Sequence, residues 1–278
     1  MIDFGTLAAT GRPLLLPGAH DALSARLIEM AGFSAYGVGG AALAATQLAL
    51  PDVGLQSFGE YRDAVARIME GSSLPLMVDG ENGFGDVKAV SRTVRSFEAL
   101  GVSAIAFEDL VLPVHMGRPP AVIAQADMEE KLKAALAARR RDSLQIIGRT
   151  DSAYAVSAQE AMSRAVVYAR LGIDGLIVPG LADIDAYARL RDAVAVPIIA
   201  VVVPGSPWFA PTMDDLARIG IEAAVYPVAT LPRIVLAMQD GLEAIRIRNG
   251  APPAGFDLRS LGTCLRAAEW AAIDNPTA

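Results

Sequence analysis

Four times in this chain a helix-like stretch runs into a glycine and then at once into an apolar strand. The segments are EMAGFSAYGVG, EALGVSAIAFE, ARLGIDGLIVP and ARIGIEAAVYP, with Gly32, Gly101, Gly172 and Gly220 at the junctions. Glycine just past a helix end takes the left-handed backbone without strain, so each segment reads as the helix-to-strand half of a βα unit. Short apolar runs recur along the whole chain at Pro13–Pro17, Ala35–Gly39, Leu74–Val78, Ala104–Phe107, Gln145–Gly148, Gly175–Val178, Pro197–Val203 and Ala223–Tyr226. Several are almost continuously Val, Ile and Leu, as strands buried on both faces are. Amphipathic stretches at helical period separate them: Asp21–Ala31, Ser57–Glu70, Val87–Leu100, Asp127–Arg139, Ala158–Leu171, Ile184–Ala193 and the shorter Met213–Ile219. Asp127 and Ser157 stand where helix N-caps belong.

Strands alternating with helices in this way predict an α/β fold, a (β/α)8 TIM barrel. A doubly wound open sheet is the alternative, weakened because no GxGxxG follows the first strand. Thr230–Asn249 predicts a long helix, followed by a Pro/Gly-rich break at Gly250–Gly255 and a last helix at Leu258–Ile273. The expected organisation is a barrel domain over residues 1–250 and a C-terminal helical extension over 251–278.

A net charge of −7 argues against a nucleic-acid partner, which asks for a basic face. The densest basic cluster, Arg139–Arg141, ends a predicted helix, where cations suit the dipole. No apolar run is long enough for a signal peptide or a membrane span. One cysteine, Cys264, cannot make an internal disulfide and fits a reducing compartment. These features predict a cytoplasmic protein without membrane or nucleic-acid partners.

Chemistry in such a barrel gathers at the C-terminal ends of the strands. The third strand runs into VDGENGFGD, with Asp79 and Glu81 one residue apart. Residues i and i+2 of an extended strand point the same way, so both carboxylates leave it side by side, and like charges so placed call for a cation or a shared proton. A solvated loop is the plainer reading. The second strand brings Tyr36 and the turn Gly37–Gly40, with Asp52 in the loop beyond. The fourth brings Glu108 and the fifth Arg149, whereas the last three end in VPG, VVVPG and YPV. Oxygen-only ligands suit a hard divalent ion. Arg149 is placed either to grip a substrate carboxylate bidentately or to pair with Glu108 or Asp151 as a salt bridge. The backbone N–H groups of Gly39 and Gly40 are candidates to hold an oxyanion.

Taken together, YGVGGAALAATQLALPD, VDGENGFG, FEDLVLPVHMGR and GRTDS resemble the isocitrate lyase/phosphoenolpyruvate mutase superfamily, from about Leu14 to about Ala237. The resemblance implies a TIM barrel whose last helix is swapped with a neighbour in a homodimer, often within a homotetramer. It implies Mg²⁺ or Mn²⁺ and small 2-oxo or 2-hydroxy carboxylate substrates. Asp79 resembles the acid nearest the metal, and Asp52, Glu81 and Glu108 the acids that hold it mainly through water. Arg149 resembles the arginine for the substrate carboxylate. Tyr36, Val38, Gly39 and Gly40 fall on the pocket that cradles its carboxylate and oxyanion end. Glu81 stands where the family usually has aspartate, and Val38 where its lyases commonly have serine.

The departures concern the substrate. The KRCGH-type gating loop of the lyases, whose cysteine protonates the enolate, is replaced by Val114–Arg118 with Met116 at its centre. Gly180 and Val201 replace a glutamate and an asparagine that bind the second product of the tricarboxylate lyases. EDLVLPVHMGR is closest to the oxaloacetate decarboxylase branch, although Val228 stands where that branch has histidine. The resemblance therefore implies a Mg-dependent carbon–carbon lyase, a decarboxylase of oxaloacetate or a related 2-oxo diacid. The alternatives are a retro-aldol or Claisen-type lyase of a 2-methylisocitrate- or dimethylmalate-like acid, and a non-catalytic metabolite-binding member. Water, Tyr36 and His115 in the gating loop are the candidate proton donors; an ordinary surface histidine is the other reading of His115.

Overall fold

The computed structural model describes residues 12–203, 205, 209–248 and 257–274. Eight parallel strands alternate with helices in the order β1 (Leu14–Pro17), α1 (Ala22–Met30), β2 (Tyr36–Val38), α2 (Gly40–Leu43), α3 (Phe58–Glu70), β3 (Leu76–Asp79), α4 (Val87–Leu100), β4 (Ala104–Glu108), α5 (Gln125–Ala138), β5 (Gln145–Arg149), α6 (Ser152–Ala155), α7 (Ala158–Arg170), β6 (Gly175–Ile177), α8 (Ile184–Ala193), β7 (Ile199–Val201), α9 (Met213–Arg218) and β8 (Ala223–Tyr226). Three helices follow: α10 (Leu231–Arg248), α11 (Leu258–Cys264) and α12 (Ala267–Asp274). A single π-helical turn, Ala44–Leu48, extends α2.

The strands form two parallel sheets, β2-β3-β4-β5-β6 and β1-β8-β7. Parallel bridges at Gly18–Gly37 and Leu176–Ile198 join them at both edges, which closes the ring. Along each strand the side chains alternate between two apolar clusters. Leu16, Met77, Ala106, Ile147, Ile177 and Val225 fill the inside of the barrel. Val78, Ile105, Ile146 and Leu176 face outward, against helix residues such as Val94, Phe97, Leu132 and Tyr168. Burial on both faces is why these strands read as continuous apolar runs. Each such Leu, Ile or Phe contributes about 1.5–3 kcal/mol by leaving water.

The junction glycines behave as expected: Gly32, Gly101, Gly172 and Gly220 all have φ between 74° and 91°. Ser57 caps α3 in a capping box with Glu60, and Ser157 accepts from the Glu160 N–H at the start of α7. Two boundaries differ from expectation. Helix α5 begins at Gln125 after an uncapped Ala124, so Asp127 lies inside its first turn, where its charge complements the helix dipole instead of capping it. The last helix is broken in two, because Arg266 takes φ 56° between α11 and α12. The Gly250–Gly255 break lies outside the described residues. Among the described residues no helix is long and apolar enough to cross a membrane.

Candidate active site

The inward register that fills the barrel also delivers the charged residues. Two residues beyond Met77, Ala106 and Ile147 on the same face come Asp79, Glu108 and Arg149, at the C-terminal ends of three neighbouring strands. There the Arg149 guanidinium bonds three carboxylates at once. Nη1 lies 2.9 Å from both Asp79 Oδ2 and Glu108 Oε2, and Nη2 lies 2.8 Å from Asp151 Oδ1. The Tyr154 hydroxyl donates to the same Asp151 oxygen at 2.6 Å. Asp151 Oδ2 is buried without a partner among the described residues. Arg149 is the salt-bridged residue of one sequence reading, and it also borders the cavity at the barrel mouth.

Asp151 is set from behind by Asp109, which is fully buried. Asp109 accepts from the Asp151 N–H (2.9 Å), the Thr150 hydroxyl (2.7 Å), Arg164 Nη1 (3.1 Å) and the Tyr168 hydroxyl (3.0 Å). A buried carboxylate with four donors, one of them cationic, is a fixed point for the turn between β5 and α6.

Glu81 departs from the extended geometry expected of it. The strand stops at Asp79, and Glu81 takes φ 52°. Its N–H donates to Asp79 Oδ1 at 3.0 Å, and its carboxylate crosses to Gly40, into space that a Cβ at position 40 would occupy. The two acids therefore do not leave the strand side by side. Gly40 makes room for Glu81, and that corner is negative rather than an oxyanion cradle.

Burial, the largest effect, and the neighbouring Asp79 and Asp52 charges push the Glu81 carboxyl well above the usual range. Burial also raises Glu108 and Asp79, against the pull of Arg149. Asp52, in the loop after the π turn, is raised by the surrounding protein and by Asp79. Burial opposes the charge on Arg149, but Asp151, Glu108 and Asp79 outweigh it, so the guanidinium stays protonated. Five carboxylates (Asp52, Asp79, Glu81, Glu108 and Asp151) thus face one arginine. This excess of hard oxygen donors is the chemistry of a divalent cation site. Among the described residues no three acidic, histidine or cysteine side chains sit close enough to ligate one ion together. Mg²⁺ commonly keeps several waters and takes one or two carboxylates, so the wider spacing fits a hydrated ion.

Two cavities open here. One, of about 370 Å³, is lined by Asp52, Gln56, Tyr61, Glu81, Phe84 and Leu112 among others. The other, of about 50 Å³, lies over the barrel core between Asp79, Arg149, Gly39, Ile177, Val201 and Val225. Val38 borders this second cavity as well. Tyr36 does not reach it. One residue out of step with the inward-facing Ala35 and Gly37, Tyr36 packs in the outer cluster, where burial and the Glu29 charge on α1 raise its hydroxyl. This corrects its expected place beside the substrate. His115 stands exposed on its loop, with Nδ1 3.0 Å from the Met116 carbonyl oxygen, and lines neither cavity. Sequence reasoning missed Gln56, Tyr61 and Tyr154. Tyr61 carries no signal beyond a helix-face apolar pattern, because its neighbours on that face, Ala64, Val65 and Ile68, are plain core residues.

A closed parallel barrel with carboxylates from successive strands around one arginine at its C-terminal rim defines a barrel enzyme. The chain belongs to the phosphoenolpyruvate phosphomutase family, whose model matches residues 4–246, within the isocitrate lyase/phosphoenolpyruvate mutase superfamily. It is 33% identical over 246 residues to an oxaloacetate decarboxylase of Bradyrhizobium sp. (strain BTAi1), covering 88% of this chain and 84% of that one. It is 31% identical over 231 residues to a 2-methylisocitrate lyase of Shewanella oneidensis, covering 82% and 79%. Among solved structures, an oxaloacetate acetylhydrolase in complex with the inhibitor 3,3-difluorooxalacetate superposes with a TM-score of 0.88 at 25% identity, over 98% of this chain and 95% of that one. The protein is a carbon–carbon lyase of this superfamily.

Proposed function

We propose that the protein is a Mg²⁺- or Mn²⁺-dependent decarboxylase of oxaloacetate or a closely related 2-oxo diacid. One observation carries this reading. Among the described residues lining either cavity, Arg149 is the one cation, and apart from it and Asp79 the barrel-mouth cavity is walled by apolar residues such as Met77, Ile177, Val201, Val225 and Pro227. A tricarboxylate lyase must hold several carboxylates on the far side of the breaking bond, and each needs a cation or donors. Decarboxylation asks less. The departing carboxylate becomes neutral CO₂, so an apolar wall disfavours the reactant anion and not the product.

Asp79, with Asp52, Glu81 and Glu108 mainly through water, would hold the cation. When bound it supplies Lewis acidity to the 2-oxo oxygen, where negative charge develops as CO₂ leaves. The chain's own residues position the reactant. Arg149 grips the carboxylate next to the oxo group, and Asp151 and Tyr154 hold the guanidinium at its angle. Gly39, just past the end of β2, also borders the cavity beside Arg149. The carbon that loses CO₂ takes its proton from water, because Tyr36 faces away and His115 lies on the exposed loop. The resemblance and the apolar face of α10 also support a homodimer or homotetramer as the working form.

The apolar wall favours one second reading, the retro-aldol cleavage of an alkylated 2-hydroxy diacid of the dimethylmalate type. A single assay separates the two. Protein, Mg²⁺ and oxaloacetate are expected to give pyruvate and CO₂ well above the rate with Mg²⁺ alone, and EDTA is expected to stop it. Asp79→Ala is expected to lower kcat/KM by roughly a hundredfold or more, the scale of losing a charge-stabilising group. Untouched oxaloacetate together with cleavage of a dialkylmalate would replace this reading with the second.

A further inference from the structure

We propose that Gln56 and Tyr61 form a hydrogen-bonding wall for the water shell of the divalent cation that Asp79 would hold, on the side where Asp52 and Glu81 meet its waters. This rests on the cation-dependent reading above and adds two residues to it. Both line the larger cavity, of about 370 Å³, together with the two acids. At about 30 Å³ per water, that space takes a cation and its waters with room to spare.

Tyr61 sits in the first turn of α3 and is fully buried. Its ring packs edge-on against Phe84 and Phe97, with centroids at 5.5 and 6.3 Å. The ring is thereby fixed, yet its hydroxyl has no hydrogen-bond partner among the described residues. Gln56 Nε2 and Oε1 are in the same state, buried and unpartnered. Native structures rarely leave such atoms unsatisfied, and here three belong to one cavity. Burial above all, and then the Asp79, Glu81, Asp52 and Glu108 charges, raise the Tyr61 hydroxyl well above its ordinary range and keep it protonated.

The chemistry of the lining selects the occupant. An anion is repelled by Asp52 and Glu81. An apolar group leaves the phenol and the amide unsatisfied. Waters around a cation present hydrogens outward, and the cavity offers them carboxylates, the phenol oxygen and Gln56 Oε1 as acceptors. Glu81 reaches this place only through its left-handed backbone and the missing side chain at Gly40, strain of the kind kept where a site requires it.

The test titrates cation-stripped full-length protein with Mn²⁺ or Mg²⁺ alone by calorimetry and records melting with and without the cation. Tyr61→Phe is expected to weaken cation binding about three- to tenfold, the weight of one hydrogen bond, and not to lower the melting temperature of the cation-free protein. Gln56→Ala, on the loop before α3, repeats the test without touching the aromatic packing. Unchanged affinity in both variants overturns the proposal. So does a weakening that comes only with a lower cation-free melting temperature, which marks a structural role. Wild-type protein that binds neither cation overturns this proposal and the cation reading together. Wild-type protein that binds a cation yet leaves oxaloacetate intact overturns the proposed reaction and not the role of these two residues.

Discussion

Glu81 carries the sharpest residue-scale consequence. It is one of four acids raised first by their surroundings in the protein and then by neighbouring carboxylates, with Arg149 as the opposing charge for all four. A carboxyl whose folded pKa lies above its unfolded value binds more protons in the native state, so its contribution to stability falls as pH rises. The loss begins above the unfolded value and is complete once pH passes the raised folded value. The cation-free protein is therefore expected to melt lower at roughly pH 8 than at roughly pH 6, and Mg²⁺ to close that gap. Glu81→Gln removes one of the repelling charges. It is expected to raise the cation-free melting temperature at the higher pH by about 2–4 °C, equivalent to about 1 kcal/mol, and to abolish most of the Mg²⁺-induced shift. Scanning fluorimetry with EDTA and with Mg²⁺ reads both effects; a variant that still shifts fully with Mg²⁺ would remove Glu81 from the site. Asp79, Glu108 and Arg149 were legible in the sequence because they continue a strand alternation already visible in the apolar residues. Glu81 and Tyr36 were misread for reasons of the backbone. One lies just past the strand end, where period-two reasoning stops. The other lies one step out of phase, facing α1.

Between elements, Asp109 is the residue that ties most together. It joins the end of β4 to the β5–α6 turn and to Arg164 and Tyr168 on α7. Asp109→Ala leaves Glu160 as the one acid paired with the buried Arg164 among the described residues and is expected to cost about 3–5 kcal/mol in urea unfolding. Asp109→Asn keeps the shape and is expected to cost less, while loosening Asp151 and with it the angle of Arg149. In the milder variant KM should rise and kcat fall, with the protein still folded; unchanged kinetics would confine Asp109 to stability. Asp109 was visible in the sequence beside Glu108 but had no assigned purpose, because its side-chain partners come from two distant stretches, the β5–α6 turn and α7, that meet it only in the fold. The eight strands were legible because burial on both faces leaves an unmistakable apolar run. Helices α2 and α6 and the π turn were not, since runs such as GGAALAATQL hold no periodic apolar face. The break in the last helix was hidden too: nothing in RSLGTCLRAAEW marks Arg266 as left-handed.

Across the whole molecule, α10 is the element the barrel does not account for. Val235, Met238, Leu242 and Ile245 recur at helical spacing on one stripe, and all are exposed, Leu242 by 63% and Ile245 by 63%. Leu236 and Ile247 widen the apolar surface. A contiguous apolar face of this extent asks for a partner. A second copy of the chain satisfies that demand and agrees with the proposed homo-oligomer. Light scattering after size exclusion is expected to give twice or four times the 29.0 kDa of one chain. Leu242→Glu places a charge in the middle of the stripe and is expected to shift the protein towards monomer at micromolar concentration. A wild-type monomer would overturn the assembly. The assembly also bears on the site, because α10 begins just past Pro227, which borders the cavity at the barrel mouth. Holding α10 in an interface fixes the end of β8 and with it the wall formed by Val225 and Pro227. Specific activity per chain is therefore expected to fall on dilution below the dissociation constant and to stay low in Leu242→Glu at every concentration. Constant specific activity across that range would separate assembly from catalysis.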